Sequence, residues 1–314
     1  MVFYYMSEGQ KLLSLDAPQD GCWISMIHPT EEEIQSVSSK FSIDANDLRS
    51  ALDTDERSRI EAETNYMMIL VNIPTIEDDT EKELYDTIPL SLFVVGKSLI
   101  TVCSEETPVL QPFLQGKIKD FNTNMRSRFV MQILYRNASL YLQYLRNIER
   151  QSDMVENKMH KSTQNSELFE LLKLEKSLVY FTTALRSNEV VMEKLFKSER
   201  FKKYPEDAEL LEDVIIENKQ AIEMAGIYSG IIASMTDAFA SVISNNLNNV
   251  MKTLAIITIV LSIPTMIFSA YGMNVATAGM PFADSPFGFI MIVVASLILS
   301  LLVTIVFIKM KMFK

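Results

Sequence analysis

Cysteine is nearly absent. Two residues in 314, Cys22 and Cys103, exclude a disulfide-built scaffold and a Cys-based zinc module, and they fit reduced thiols in a cytosolic setting. The two histidines, His28 and His160, are too few and too far apart for a His-rich metal site. Nine Gly and ten Pro exclude a collagen-like or low-complexity chain. No Walker loop, Gly-x-Gly-x-x-Gly run or nucleophile elbow is present, so an enzyme reading has no support and no organic cofactor is expected. Basic residues are in deficit: 29 Lys and Arg oppose 40 Asp and Glu, a net charge of −11. That argues against duplex nucleic acid as a partner, because phosphate contacts need a basic surface. The first residues, MVFYYMSEGQ, lack the basic n-region of a signal peptide.

Against this acidity the mean hydropathy is positive, +0.12, at a pI near 4.9. The last sixty or so residues resolve the conflict. Thr253–Met273 and Phe287–Ile308 carry no charged residue, and each is close to the ~20 residues a helix needs to cross a ~30 Å hydrocarbon core. Lys252 precedes the first run; Lys309, Lys311 and Lys314 follow the second. The loop between them, residues 274–286, has no base and one acid, Asp284. By the positive-inside rule both termini are cytosolic and the loop lies outside. The expectation is an integral membrane protein with lipid around two spans and a large cytosolic N-terminal part.

That part opens as mixed α and β through residue 108. Val2–Met6 and Lys11–Leu15 read as a hairpin around Ser7-Glu8-Gly9-Gln10. Thr30 with Glu33 forms a capping box at a helix start. Tyr66–Ile73 reads as a strand, and Ile88–Val95 with Ser98–Cys103 as a second hairpin around Gly96-Lys97. From 109 to 204 only helices are expected, a long hairpin of Arg126–Lys161 and Ser166–Lys197. Pro205, followed by Glu206, Asp207 and Glu209, suits a helix N-terminus by φ and by dipole. No further Pro occurs before Pro264, so a stalk helix over 205–252 is expected to continue through the first span to about Ala270, roughly 100 Å at ~1.5 Å per residue.

The first span is marked by a stripe. Thr258, Ser262, Thr265 and Ser269 recur at steps of four, three and four; the line extends back through Leu254 and Met251 to Asn248 and forward to Asn274. Small residues at this spacing can pack one helix on another. They can also line a water-filled path, provided several copies of the helix surround an axis. Ile256, Ile257, Ile259 and Val260 would then face other helices or lipid. In the second span Ser296, Ser300 and Thr304 mark a packing seam.

At the outer end of the stripe stands Tyr271-Gly272-Met273-Asn274. This tetrapeptide, closing the first of two C-terminal spans after a long acidic helix, resembles the signature of the CorA magnesium transporters. The likeness covers the whole architecture and also Asn248–Leu254 as the inner pore entrance. Leu52-Asp53 with Arg57–Glu61 resembles, more loosely, an acidic-basic turn of the family. The fold implied is an α+β cytosolic domain with a helical hairpin and a stalk helix, then two membrane helices, in a funnel-shaped homopentamer. The function implied is passive flux of Mg2+, with Co2+, Ni2+ or Zn2+ as the alternative cargo, driven by a membrane potential worth about 2.3 kcal/mol per charge per 100 mV. Asn274 would present amide oxygens to the ion's tightly held water shell, Gly272 would permit a tight turn, Met251 and Leu254 would form a hydrophobic constriction, and Asn248 an inner polar ring. Two departures stand out: Ser262 where many members carry Met, and Phe282-Ala283 after Met280-Pro281 where many place an acid.

Residues 205–250 hold eight acids and one base, Lys219. They form a solvated helix face or, as the resemblance implies, a sensor that cytosolic divalent ions hold shut. Asp213 falls on the family's stalk sensor position, with an acid of the Glu77–Asp86 stretch of a neighbouring subunit as partner, and Asp237 on a second Asp near the inner funnel. Mg2+ is thus both cargo and regulator. Lys252, Lys309, Lys311 and Lys314 are headgroup anchors or, by resemblance, a basic collar at the inner mouth. A membrane-anchored helical interaction protein is the reading of a different class.

Overall fold

The computed structural model describes residues 1–9, 11–79, 82–159, 165–198, 205–274, 279–282 and 285–310. The chain divides into two compact units, Met1–Thr236 and Asp237–Lys314.

The first unit is built on one mixed sheet. Its strands are β1 (Val2–Glu8), β2 (Lys11–Leu15), β3 (Trp23–Ile27), β4 (Arg59–Ala62), β5 (Tyr66–Asp79), β6 (Lys82–Val95) and β7 (Ser98–Cys103). They lie in the order β2-β1-β3-β7-β6-β5-β4. β3 and β7 run parallel, Trp23 opposite Leu99, and every other pairing is antiparallel. The β1–β2 turn is tighter than its polar residues imply: Ser7 and Glu8 stay in the ladder, and Gly9 supplies the positive φ of 63°.

Helices cover both faces, so the central strands are apolar throughout, as in sheets buried on two sides. On one face Ile24, Met26, Met68, Leu70, Phe93, Ile100 and Val102 share a core with Ile34, Val37 and Leu48. Those last three come from α1 (Glu31–Phe41) and α2 (Ala45–Ser50). α1 starts on the expected capping box: the Glu33 amide donates to Thr30 Oγ1 at 3.3 Å, and the Thr30 amide donates to Glu33 Oε2 at 2.8 Å. On the other face Trp23 is fully buried among Tyr5, Phe113, Phe121 and Phe129. Its indole N–H donates to Thr101 Oγ1 at 3.0 Å, which meets the ring's one polar need. α3 (Gln111–Leu114), α4 (Arg126–Met159) and α5 (Asn165–Lys197) lie on this side.

β5 and β6 are far longer than their apolar runs. They pair from Tyr66–Val95 out to Asp79–Lys82, well past the ends of β4 and β7. The acidic stretch beyond Ile76 is a poor strand former by composition. It is extended through its pairing register, which a single-strand reading cannot see. Where the arm leaves the sheet, Asn72 faces Pro89, and Pro89 has no N–H to give the ladder. Side chains from α4 and α5 take over. Asn137 Nδ2, the Tyr141 hydroxyl and Asn188 Nδ2 all donate to the Asn72 carbonyl, at 3.1, 3.1 and 2.7 Å. The Asn72 amide donates to Asn188 Oδ1 at 2.9 Å. Burial pushes the Tyr141 phenol well above its ordinary range, with Asp86 adding to the effect, so it stays a donor.

α6 runs Pro205–Tyr271 as one helix of 67 residues, with Pro264 inside it. Its first third docks on α4 and α5 through Asp207, Leu211, Val214, Asn218, Ala221 and Ala225, all buried. The spacing alternates four and three, a heptad seam. Asn218 Nδ2 donates to the Leu185 carbonyl at 3.1 Å, and the Tyr228 hydroxyl donates to Glu149 Oε2 at 2.8 Å. α7 (Gly288–Lys309) closes the second unit.

The Asn72 cluster yields a test. Asn188→Ala removes three hydrogen bonds at a buried site, to the Asn72 amide, the Asn72 carbonyl and the Ser58 hydroxyl, and leaves the Asn72 amide only Ser58 Oγ at 3.3 Å, a loss of about 2–3 kcal/mol. Trp23, the single tryptophan, reports unfolding by fluorescence in a denaturant titration. A change below about 0.5 kcal/mol, the level of an ordinary surface substitution, would show that the cluster does not hold the arm.

Candidate functional site

Among the described residues two helices are long and apolar enough to cross a membrane, and the second unit contains their apolar segments, the later part of α6 and all of α7. Their burial pattern assigns their faces. On α6, Ile256 is buried and Thr253, Val260, Ile263, Pro264 and Ile267 are half-buried. On α7, Gly288, Ser296 and Ser300 are buried and Val303, Thr304 and Phe307 half-buried. At 100° per residue each set is one face, and these two faces cover each other. The seam expected at Ser296, Ser300 and Thr304 is used. Its hydroxyls turn inward onto their own helix, Ser300 Oγ donating to the Ser296 carbonyl at 3.0 Å and Thr304 Oγ1 to the Ser300 carbonyl at 2.8 Å, which lets the backbones approach.

The polar stripe lies on the opposite side of α6. Asn248, Met251, Leu254, Thr258, Ser262, Thr265 and Ser269 are all exposed. Ile257 and Ile259, on the flanks, are each 47% exposed. Packing within the chain therefore leaves the stripe uncovered. The hydroxyls are tied down in series: Thr258 Oγ1 donates to the Leu254 carbonyl at 2.9 Å, Ser262 Oγ to Thr258 at 2.7 Å and Thr265 Oγ1 to Leu261 at 3.0 Å. Each spends its proton on the helix and keeps its oxygen lone pairs outward. The face is thus a row of acceptors without a formal charge, chemistry suited to a cation that keeps its water.

At the C-terminal end of α6, the four residues of the tetrapeptide divide in role. Tyr271 ends the helix, and its hydroxyl donates to the Pro281 carbonyl at 2.9 Å. It thereby pins the returning loop, a structural part that the motif alone does not disclose. Gly272 does not occupy the left-handed region; its amide continues the helix pattern to the Phe268 carbonyl at 2.9 Å. The tight-turn role expected of Gly272 therefore has no basis in its φ. A β-carbon there would sit 3.4 Å from the Phe268 oxygen, an ordinary contact. The glycine that the turn requires is Gly288, where a β-carbon would lie 2.2 Å from the Phe282 carbonyl oxygen. Phe282 itself has φ 60°, a strained value for an aromatic residue. Met273 and Asn274 are exposed. Asp284 and residues 275–278 lie outside the described residues.

The stalk acids are not gathered into a site by one chain. Asp213 and Asp237 are both exposed. Among the described residues no three of His, Cys, Asp and Glu come together as a metal site, so a single chain does not supply a divalent ligand set. Asp207 is buried beside Arg128 Nη1 at 3.9 Å, and burial raises its carboxyl above the usual carboxylate range despite that neighbour. It anchors the helix and is not free to sense. The side chains of 77–84, and with them most of the proposed partner stretch, lie outside the described residues; Asp86 lies at the base of the arm and is half-buried. Lys252 and Lys309 are exposed, as a collar or as anchors require, and Lys311 and Lys314 lie outside the described residues.

The heptad seam of α6 and the Tyr271–Pro281 tie were missed in the sequence. The first was legible as small and apolar residues at 211, 214, 218, 221 and 225; the second had no local signal.

Comparison with known proteins fits this geometry. The cobalt/magnesium transport protein CorA of Methanocaldococcus jannaschii is 27% identical over 301 residues, 93% of this chain and 89% of that protein. The cobalt/magnesium transport protein CorA of Thermotoga maritima is 22% identical over 258 residues, 80% of this chain and 72% of that one. The complete structure of the CorA magnesium transporter from Methanocaldococcus jannaschii superposes with a TM-score of 0.81 at 24% identity, covering 98% of this chain and 97% of the other, which shows a shared fold. The family described as CorA-like Mg2+ transporter protein matches residues 18–309. With that match over nearly all its length, the chain belongs to the CorA family, a family of metal-ion transporters and not of enzymes.

Proposed function

We propose that this protein conducts Mg2+ across a cell membrane through an axial pore built from several copies of α6, five in the arrangement the family resemblance implies, with both termini cytosolic. The observation that carries this reading is the uncovered polar face of α6, opposite the face that α7 occupies. In hydrocarbon a row of acceptors left facing lipid is costly. Copies of the same chain around a symmetry axis would turn every such face inward and enclose water. Thr258, Ser262, Thr265 and Ser269 then line the path, with Met251 and Leu254 as an apolar constriction nearer the inner end and Asn248 beyond them.

Mg2+ binds its waters tightly and prefers octahedral oxygen geometry. At the outer mouth Asn274 from each copy would offer amide oxygens to those waters, selecting by hydrogen bonds to the shell and letting the ion leave again. Without a left-handed φ to explain Gly272, the lack of a side chain there is better accounted for by room: a bulkier residue at each copy would crowd the ring. Flux is downhill, and an inside-negative potential acts twice on a divalent ion. The names of the relatives support Co2+ as a second cargo.

Closure would be set by the stalk. Like-charged helices repel, and a divalent ion shared between Asp213 of one copy and a carboxylate of the next would hold them together. The exposure of Asp213, with no ligand set completed inside one chain, suits a site finished between copies. Asp237 would act similarly lower on the funnel. Lys252 and Lys309 would ring the inner mouth.

Two measurements follow. In proteoliposomes, Asn274→Ala should lower Mg2+ uptake by at least about tenfold, since a hydrogen bond to a charged partner is worth about 1.5–3 kcal/mol. Unchanged uptake would remove the selectivity role and favour a scaffold whose stripe is only packing. Asp213→Ala should leave uptake intact at low internal Mg2+ and weaken its inhibition by high internal Mg2+. An unaltered inhibition curve would show that Asp213 is not the sensor.

A further inference from the structure

The chain is strongly acidic, yet one cavity of its first unit is basic. A pocket of about 690 Å3 opens between the β1–β2 hairpin and the loop leading from α3 into α4, with Lys11, Lys117, Lys119 and Arg128 in its wall. Two acids, Asp120 and Glu206, share the lining, which leaves four cations against two anions. The three lysines have no carboxylate at ion-pair distance among the described residues. Arg128 faces Glu206 Oε2 at 3.4 Å and Asp207 Oδ1 at 3.9 Å, so the uncompensated charge of the wall sits on the three lysines; the Arg128 Nε is buried with no hydrogen-bond partner among the described residues. Gathering like charges around a cavity raises the folded state's energy unless an anion joins them. Nothing in the transport reading uses these residues.

The wall is built and held, not a chance meeting of surface chains. Ser7 and Thr123 exchange two hydrogen bonds, the Ser7 amide to Thr123 Oγ1 at 3.1 Å and the Thr123 amide to Ser7 Oγ at 3.0 Å, fixing the loop to β1. Gln132 Nε2 donates to the Lys119 carbonyl at 3.1 Å, fixing it to α4. The Lys117 amide donates to the Pro112 carbonyl at 2.9 Å. Lys117 and Lys119, with Ile118 between them, are thereby presented on a pinned backbone. The apolar part of the lining includes Leu12 and Phe121. Phe121 is half-buried, its ring centroid 4.6 Å from that of Phe129, so one edge of the ring is left to the cavity.

The volume decides the size of ligand. Small-molecule sites run to about 300–1,000 Å3; a lone phosphate would leave most of this cavity to solvent. We propose that the pocket binds a phosphorylated small molecule of nucleotide size. Its phosphates would be held by Lys11, Lys117, Lys119 and Arg128, and its apolar part would rest on Leu12 and Phe121. Lysine and arginine are the groups for this task, Arg by its planar fork and Lys as a compact charge. The bond from Arg128 to Glu206 is long enough to yield to a doubly charged oxygen cluster.

The test is calorimetric titration of the full chain in detergent, with divalent ions removed by chelator so that the probe's phosphates are free. ATP should bind once per chain and more weakly as salt rises. In Lys117→Glu/Lys119→Glu the dissociation constant should rise by at least about tenfold, one charge-assisted contact's worth, and Lys117→Gln/Lys119→Gln should fall between that variant and the parent. Both lysines are exposed, so the thermal midpoint should hold. The proposal is overturned by no saturable ATP binding, by equal affinity in the charge-reversed variant, or by adenosine or inorganic phosphate binding as tightly as ATP.

Discussion

A membrane offers no water to a polar side chain, and that constraint organises the second unit. Along α6 between Asn248 and Ser269, hydroxyls and an amide occupy one face of an otherwise aliphatic helix. The hydroxyl protons of Thr258, Ser262 and Thr265 are used on carbonyls one turn back, which lowers the cost of burial without removing it, since each oxygen keeps acceptor capacity. α7 could have covered this face and does not; it packs on Ile256 and its neighbours, the other side of the helix. The remaining ways to satisfy the stripe are another copy of the same face or a column of water. A hydrated divalent ion can use both, because the stripe offers oxygens and no fixed charge that would trap it.

The first unit obeys a different economy of hydrogen bonds. Pro89 interrupts the β5–β6 ladder where the long arm leaves the sheet. The helical hairpin repairs the gap with Asn137, Tyr141 and Asn188 around the Asn72 backbone. The same helices receive the start of α6 through its heptad seam and through Tyr228 and Asn218. Sheet, hairpin and stalk are therefore bonded to each other by specific polar contacts as well as by apolar area. A carboxylate load at the arm or the stalk acts on elements that are already fastened.

Much of this was legible from residue order. Uncharged runs of sufficient length marked both spans, and Pro205 with its following acids marked the start of α6. Thr30 and Glu33 marked the start of α1, and the Ser296 seam showed which side of α7 would be covered. Strand extent was not legible. Glu77, Asp78 and Asp79 have little β preference alone, and only the register with 82–84 extends them. Trp23–Ile27 and Arg59–Ala62 were too short, or too evenly apolar, to stand out as strands. At the end of α6 the four-residue motif points to Gly272, whereas the close approach that demands glycine is at Gly288, fourteen residues from Asn274 and opposite Phe282. Such a contact depends on a returning chain, which linear spacing does not encode. The basic pocket is not legible in the sequence for a related reason: Lys11 and Lys117 are distant in sequence and are brought together by tertiary contacts, the Ser7–Thr123 pair among them.

In the assembled protein the face of α6 carrying Thr258 and Ser262 should meet water. Cys22 and Cys103 are buried, so single cysteines placed along α6 can be probed against a quiet background with a membrane-impermeant thiol reagent during Mg2+ uptake. Modification should block flux at positions 258, 262, 265 and 269 and have no effect at 256, 260, 263 and 267. Reaction on the second set, or no periodicity at all, would show that this face does not line a water-filled path.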